Sequence, residues 1–103
     1  MTEECTLELT PGGQARLGGL LTFETSTRLY HEMEKALHAG NQLEQIDLSG
    51  VTEADSAGLA LLLEWQAITG ASLLVSNAPE SLIRLAELCE ADDFLNLSGR
   101  NEA

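Results

Sequence analysis

Apolar and polar residues alternate from Cys5 to Thr10, with Leu7 and Leu9 on one side and Glu8 and Thr10 on the other. A period of two is that of a strand with one buried face. Pro11-Gly12-Gly13 punctuates it as a turn. Residues 14–20 then read as a second strand with Ala15 and Leu17 inward. Two such runs around a glycine turn predict a hairpin. From residue 22 to 39 the period lengthens. Ser26, Leu29, Tyr30, Met33, Ala36 and Leu37 share one side, while Glu24, Arg28, Glu32, Glu34 and Lys35 fall largely outside it. This is the pattern of an amphipathic helix, and Gly40-Asn41 stops it.

Residues 43–48 read as a short third strand ending in a polar turn. A second helix is expected over residues 56–69, ended by Gly70. Residues 72–76 give a fourth strand. Its Leu73-Leu74-Val75 run lacks alternation, which predicts a strand covered on both faces. Asn77-Ala78-Pro79-Glu80 opens a third helix with Pro79 near the first helical position, where its missing N–H costs little. Leu82, Leu85, Ala86 and Cys89 mark its buried side. Residues 94–97 read as a last short strand, and residues 1–4 and 98–103 are expected to fray. Strands alternating with helices predict an α/β fold: a mostly parallel sheet of four to five strands with an N-terminal hairpin and helices packed on it.

The second helix carries more apolar surface than one side can hold. Leu59, Leu62 and Leu63 form one set; Ala57, Leu61 and Trp65, spaced i, i+4, i+8, form another. One helix on one sheet face cannot hide both. The expectation is that the first set is buried in the isolated domain. The second set then waits for a partner, with Trp65 as its anchor. At the head of this helix Asp55 is placed to cap it, and Ser56 sits in the first turn with its hydroxyl outward, where the helix dipole is positive. Capping alone is the ordinary role for such a pair. Gly58 costs helix stability; close packing against the third strand and room for a partner's backbone would both account for it.

Composition narrows the functions open to the chain. Its 103 residues suit a single domain spanning 1–103. Seventeen acidic residues face five basic ones, a formal charge of −12. That balance argues against nucleic acid and against insertion into an anionic membrane surface, and favours a basic protein partner. The sequence starts without an apolar leader, and its longest apolar run is too short to span a bilayer. Cys5 and Cys89 lack metal spacing and read as buried or half-buried thiols in a reducing compartment. His31 and His38 lie seven apart on one helix, too far for one metal without other ligands. Ser56 has no histidine partner in view for nucleophilic catalysis, and no glycine-rich phosphate loop is present. No catalytic residue, metal or cofactor is therefore expected.

Asp55-Ser56-Ala57-Gly58-Leu59 resembles the Asp-Ser/Thr-x-Gly-Leu signature of STAS domains, named after sulfate transporters and anti-sigma-factor antagonists. Leu17-Gly18-Gly19-Leu20-Leu21-Thr22-Phe23 is similar to the family's early strand and the start of its first helix. Ile46-Asp47-Leu48-Ser49 is similar to its central strand. The order of elements agrees from Cys5 to Phe94. The resemblance implies the STAS fold. It also implies that Ser56, the phosphorylated or partner-contacting residue of the family, lies at the centre of a recognition surface with Asp55, Ala57, Gly58, Leu61 and Trp65. Within the family the chain resembles the small stand-alone proteins of the lipid-asymmetry (toluene-tolerance) ABC transporter of Gram-negative bacteria. The implied partner is the cytoplasmic ATPase of that transporter. The implied location is cytoplasmic, peripheral to the inner membrane. The alternative is an anti-sigma-factor antagonist whose Ser56 is phosphorylated by an anti-sigma-factor kinase. A third reading, a STAS domain for a nucleotide or lipid, is disfavoured by the acidic balance.

Overall fold

The computed structural model describes residues 5–10, 12–69, 73–91, 95 and 97–98. Residues 1–4 and 99–103 of the expected frayed ends, with Pro11, Gly70 and Phe94, lie outside them, while Ser98, expected to fray, is the last residue of a strand. Strands β1 (Cys5–Thr10) and β2 (Gln14–Leu21) form the predicted antiparallel hairpin, turning through Gly12 and Gly13, both at positive φ. Then follow α1 (Phe23–His38), β3 (Gln45–Ala54), α2 (Ser56–Thr69), β4 (Leu74–Ser76), α3 (Glu80–Leu88) and β5 (Leu97–Ser98). The sheet has five strands in the order β1-β2-β3-β4-β5, and every pairing after the hairpin is parallel.

This order decides where the helices lie. Each helix links one parallel strand to its next neighbour, always stepping the same way across the sheet. Parallel crossovers are right-handed, so all three helices fall on one face. α1 packs against β1, β2 and α2, while α3 packs against β3 and the other flank of α2. The core lies between the layers, where Ala15, Leu17, Leu21, Ile46, Leu48 and Val75 meet Leu29, Met33, Leu62 and Leu82. The opposite sheet face is bare and polar. Arg16 there lies 3.6 Å from Asp47. The Asn77 side-chain amide and the Ser49 backbone N–H both donate to Asp47, each at 2.9 Å. Those hydrogen bonds, Asn77 foremost, hold the Asp47 carboxyl below the ordinary carboxylate range. The expectation that Leu73-Leu74-Val75 is covered on both faces is therefore corrected. Leu73 and Val75 are buried, Leu74 only half so, because none of the described elements packs over the bare side.

Two more expectations need correction. No turn occurs at Ser49-Gly50; β3 runs on to Ala54. It does so through two register shifts against β2, and Gly18 and Gly50 meet at the first. A Cβ on Gly50 would stand 3.1 Å from the Gly18 Cα and 3.3 Å from the Leu17 carbonyl oxygen, so β3 needs glycine to come this close. A Cβ on Gly18 would meet its nearest neighbour at an ordinary 3.4 Å. Polar residues with two glycines looked like a loop but serve an irregular strand pair. Cys89, expected on the buried side of the third helix, is exposed. α3 buries Leu82 and Ala86 and ends at Leu88. Glu90 then takes a left-handed conformation and the Ala91 N–H returns to the Ala86 carbonyl at 2.7 Å. The helical phase that would have buried Cys89 stops before reaching it. Cys5 is buried as expected, and burial pushes its thiol pKa up.

Candidate functional site: the heads of helices α1 and α2

Asp55 follows directly from β3 and caps α2. Its carbonyl accepts the first intrahelical bond, from Leu59, at 3.0 Å. Its Oδ1 accepts from the Ala57 and Gly58 backbone N–H groups at 2.9 and 3.2 Å. These amides would otherwise lack partners at a helix start. The second oxygen does something the sequence did not show. Oδ2 accepts from the Phe23 N–H at 3.1 Å, the first amide of α1. One carboxylate thus ties the heads of two helices together, and its own N–H donates to the Leu21 carbonyl at 3.2 Å. On the α1 side, buried Thr25 completes the corner. Its hydroxyl donates to the Leu20 carbonyl at 2.7 Å and accepts from the Thr22 N–H at 3.1 Å.

Ser56 is the first residue of α2 and is exposed. Beside it, at the head of α1, Phe23 is 76% exposed, a large aromatic in open solvent. Phe23 escaped the sequence reading for a physical reason. It shares the phase of Ser26, Tyr30 and Met33, so periodicity alone would bury it. The frame set by Asp55 leaves it instead at the exposed head of the helix. A shallow depression lined by Leu20, Thr22, Phe23, Glu24, Glu53 and Asp55 adjoins the corner.

Gly58 is buried, and a Cβ there would stand 2.3 Å from the Leu21 carbonyl oxygen. The close approach is therefore to the end of β2, not to β3 as expected. Being buried, Gly58 gives no room to a partner's backbone. Its contribution to the site is indirect: it lets α2 sit low enough for Asp55 to reach the Phe23 N–H.

The expectation of an open second set on α2 is overturned. Trp65 is 1% exposed and Leu61 is 6% exposed without any partner. The reason lies in the layer. α2 is the middle helix, so it buries its base on β3 and both flanks on α1 and α3. Both apolar sets are thereby used. What remains open on α2 is a ridge of Ser56, Ala60, Glu64, Ala67 and Ile68, with Ala57 and Leu63 half-buried. Of the residues singled out from the sequence, Ser56 is open, Asp55 and Ala57 are half-buried beside it, and Gly58, Leu61 and Trp65 lie beneath.

The electrostatics of the corner are one-sided. Among the described cations, Arg28 pairs with Glu32 at 2.8 Å and donates to the Cys5 carbonyl, on the β1 side of α1. Arg16 lies on the bare sheet face, and Arg84 pairs with Glu80 on α3. Lys35 is in the last turn of α1, about 18 Å along the helix from Phe23. Carboxylates of Glu24, Glu53 and Asp55 border the corner. A phosphate placed on Ser56 would find repulsion here and, among the described residues, no guanidinium to receive it. The anion-binding amides at this helix head are already held by Asp55, which weakens the nucleotide or lipid-phosphate reading. His31 and His38 are exposed on α1. His31 Nδ1 lies 3.8 Å from a Glu34 carboxylate oxygen and His38 Nδ1 lies 3.0 Å from the Glu34 carbonyl. Neither histidine pairs with Ser56.

The layer and its exposed serine at the head of the central helix define a two-layer α/β domain of the sulfate-transporter and anti-sigma-factor-antagonist fold. The family described as "Mlab, STAS domain" matches residues 6–97, and the chain belongs to that family. Two solved structures share the fold. The anti-sigma factor antagonist SpoIIAA in its unphosphorylated form is 13% identical, with 93% of this chain and 89% of that one covered and a TM-score of 0.68. The Bacillus cell fate determinant SpoIIAA in the phosphorylated form is 15% identical, with 93% and 92% covered and a TM-score of 0.61. No curated protein matches the sequence. No helix among the described residues is long and apolar enough to cross a membrane.

Proposed function

We propose that this chain is a non-catalytic binding subunit that docks on the cytoplasmic ATPase of a phospholipid-transporting ABC system and stabilises or regulates it. In this reading the 103 residues form one STAS domain, held at the inner membrane only through that partner. The system would maintain outer-membrane lipid asymmetry. The observation that carries the proposal is the corner itself: exposed Ser56 and exposed Phe23 on two helix heads locked together by Asp55. A rigid surface with an open aromatic and a small hydroxyl residue suits a protein interface, where aromatic anchors dominate the binding energy. The match to the family described as "Mlab" supports the transporter ATPase as the partner. Ser56 lacks a paired base among the described residues, and the Asp55 carboxylate is held by three amides, so the corner offers no nucleophile.

The second reading is an anti-sigma-factor antagonist regulated by phosphorylation of Ser56. It is favoured by one observation, that the serine standing open here belongs to a fold also solved in phosphorylated and unphosphorylated forms of an antagonist. Affinity capture of the tagged chain from its own cells separates the two. An ATP-binding-cassette protein retained by wild type and lost with Ser56→Arg supports the first. A small kinase that retains only the unmodified chain would replace it with the second.

A further inference from the structure

Phe23, 76% exposed at the head of α1, borders a shallow depression of about 300 Å3 together with Leu20, Thr22, Glu24, Glu53 and Asp55. Its three carboxylates are not equivalent. Both Asp55 oxygens accept from backbone amides, Oδ1 from Ala57 and Gly58 and Oδ2 from Phe23. That carboxylate thereby answers the positive ends of α1 and α2. Glu24 and Glu53 are exposed and have no partner among the described residues. The cation spaced to pair with Glu24 is Arg28, one helical turn on. It is turned away, giving its two terminal nitrogens to Glu32 and to the Cys5 carbonyl. An open aromatic ring thus shares a depression with two unpaired carboxylates. An aromatic face attracts a cation, and carboxylates beside it hold one by charge-assisted hydrogen bonds.

We infer that the partner meets this depression with an arginine, its guanidinium flat on the Phe23 ring and its nitrogens forked toward Glu24 and Glu53. The inference rests on the protein-binding reading above and names what the partner brings to that surface. Arginine fits better than lysine. Its planar, weakly hydrated guanidinium stacks on an aromatic face and offers donors at fixed angles, whereas an ammonium is a compact, strongly hydrated point charge. A free small cation fits poorly, because the depression is open and small-ligand sites enclose most of their ligand. A protein surface supplies that enclosure itself: it carries the arginine in and shuts out water. A second copy of this chain does not supply the residue. Among the described residues, Arg28 and Arg84 pair with Glu32 and Glu80 on their own helices, and Arg16 lies beside Asp47 on the bare sheet face. Each copy also carries −12, which sets like charge against like. Ser56 does not line the depression, so the arginine sits beside the serine and leaves it the packed centre of the contact.

The test is calorimetric binding of the full chain to the ATPase at several salt concentrations. The double variant Glu24→Gln, Glu53→Gln keeps both side-chain sizes at exposed positions and removes both charges. Its binding should weaken by about tenfold, and the salt dependence should flatten. Phe23→Leu should weaken binding by about fivefold, while Phe23→Tyr, which keeps the aromatic face, should stay within about twofold of wild type. Unchanged affinity in the double variant, or Phe23→Leu and Phe23→Tyr behaving alike, overturns the arginine contact. If binding in those variants still depends on Ser56, the protein-binding reading stands without it. If wild type binds no ATPase, the proposed partner falls and the contact is judged on the chain alone. N-acetylarginine amide should then shift the Phe23 ring and Glu53 amide resonances more than N-acetyllysine amide does, and the double variant should lose the effect. Resonances that ignore the arginine probe overturn the contact whatever the partner.

Discussion

α1 and α2 lie side by side on the same sheet, yet they bury themselves in different ways. α1 is at the flank. It hides Thr25, Leu29 and Met33 and gives the rest to charged residues, so its pattern is plainly amphipathic. α2 is in the middle and hides Gly58, Leu59, Leu61, Leu62, Trp65 and Gln66, leaving a narrow ridge of Ser56, Ala60, Glu64, Ala67 and Ile68. A helix covered on three sides loses its period. Excess apolar surface in a helix therefore marks a central position in the layer before it marks a partner. The interface is then to be sought where rigid elements expose what they could have covered. Here that is the head of α1, where Phe23 stands open.

The sharpest way to break this contrast is Trp65→Ala. If α2 is the core helix, the variant loses about 4 kcal/mol of stability by removing a large buried side chain. Chemical denaturation measures it, and a loss below about 1 kcal/mol would return Trp65 to the surface. Gly58→Ala comes next. Its Cβ would stand 2.3 Å from the Leu21 carbonyl, so α2 must lift away from β2, at a cost of about 2–3 kcal/mol. Asp55→Ala removes acceptors from three amides on two helices, and about 2 kcal/mol should go with them. Amide exchange sharpens that case. Protection should fall at the heads of both α1 and α2, and loss confined to α2 would show that the Phe23 bond is not a working tie.

The bare sheet face offers a smaller, pH-dependent contrast with the helix layer. The Asp47 carboxyl is held below its usual range first by the Asn77 amide, then by the Ser49 N–H. A depressed carboxylate stabilises the fold above its unfolded pKa of about 3.9, and that contribution is lost as pH falls through the folded value. Asn77→Gly removes the amide but keeps the positive φ of 59° that this position adopts. The variant should be less stable than wild type at neutral pH. The gap should close on acidification below about pH 4.

These contrasts also mark what could be read from the chain. The hairpin, α1 and the strand–helix order were legible because each rests on a local period or a turn signal, such as Leu7 and Leu9 against Glu8 and Thr10. The position of Ser56 at the head of α2 and the capping by Asp55 were legible for the same reason. Whatever depends on neighbours was not. The fate of Leu61 and Trp65 turns on α1 and α3 flanking α2. The persistence of β3 past Ser49-Gly50 turns on how close β2 lies to Gly50. The second role of Asp55 turns on Phe23, thirty-two residues away in sequence.

The most direct test of the account is the affinity of the purified chain for its ATPase with Ser56→Glu. Ser56 is exposed in a first helical turn, where a glutamate suits the dipole, so stability should change by less than about 0.5 kcal/mol. Calorimetric binding should nonetheless weaken by about tenfold or more, because charge enters the centre of the contact beside Glu53 and Asp55. Unchanged affinity in a folded Ser56→Glu chain would contradict the claim that the joined helix heads are the docking surface.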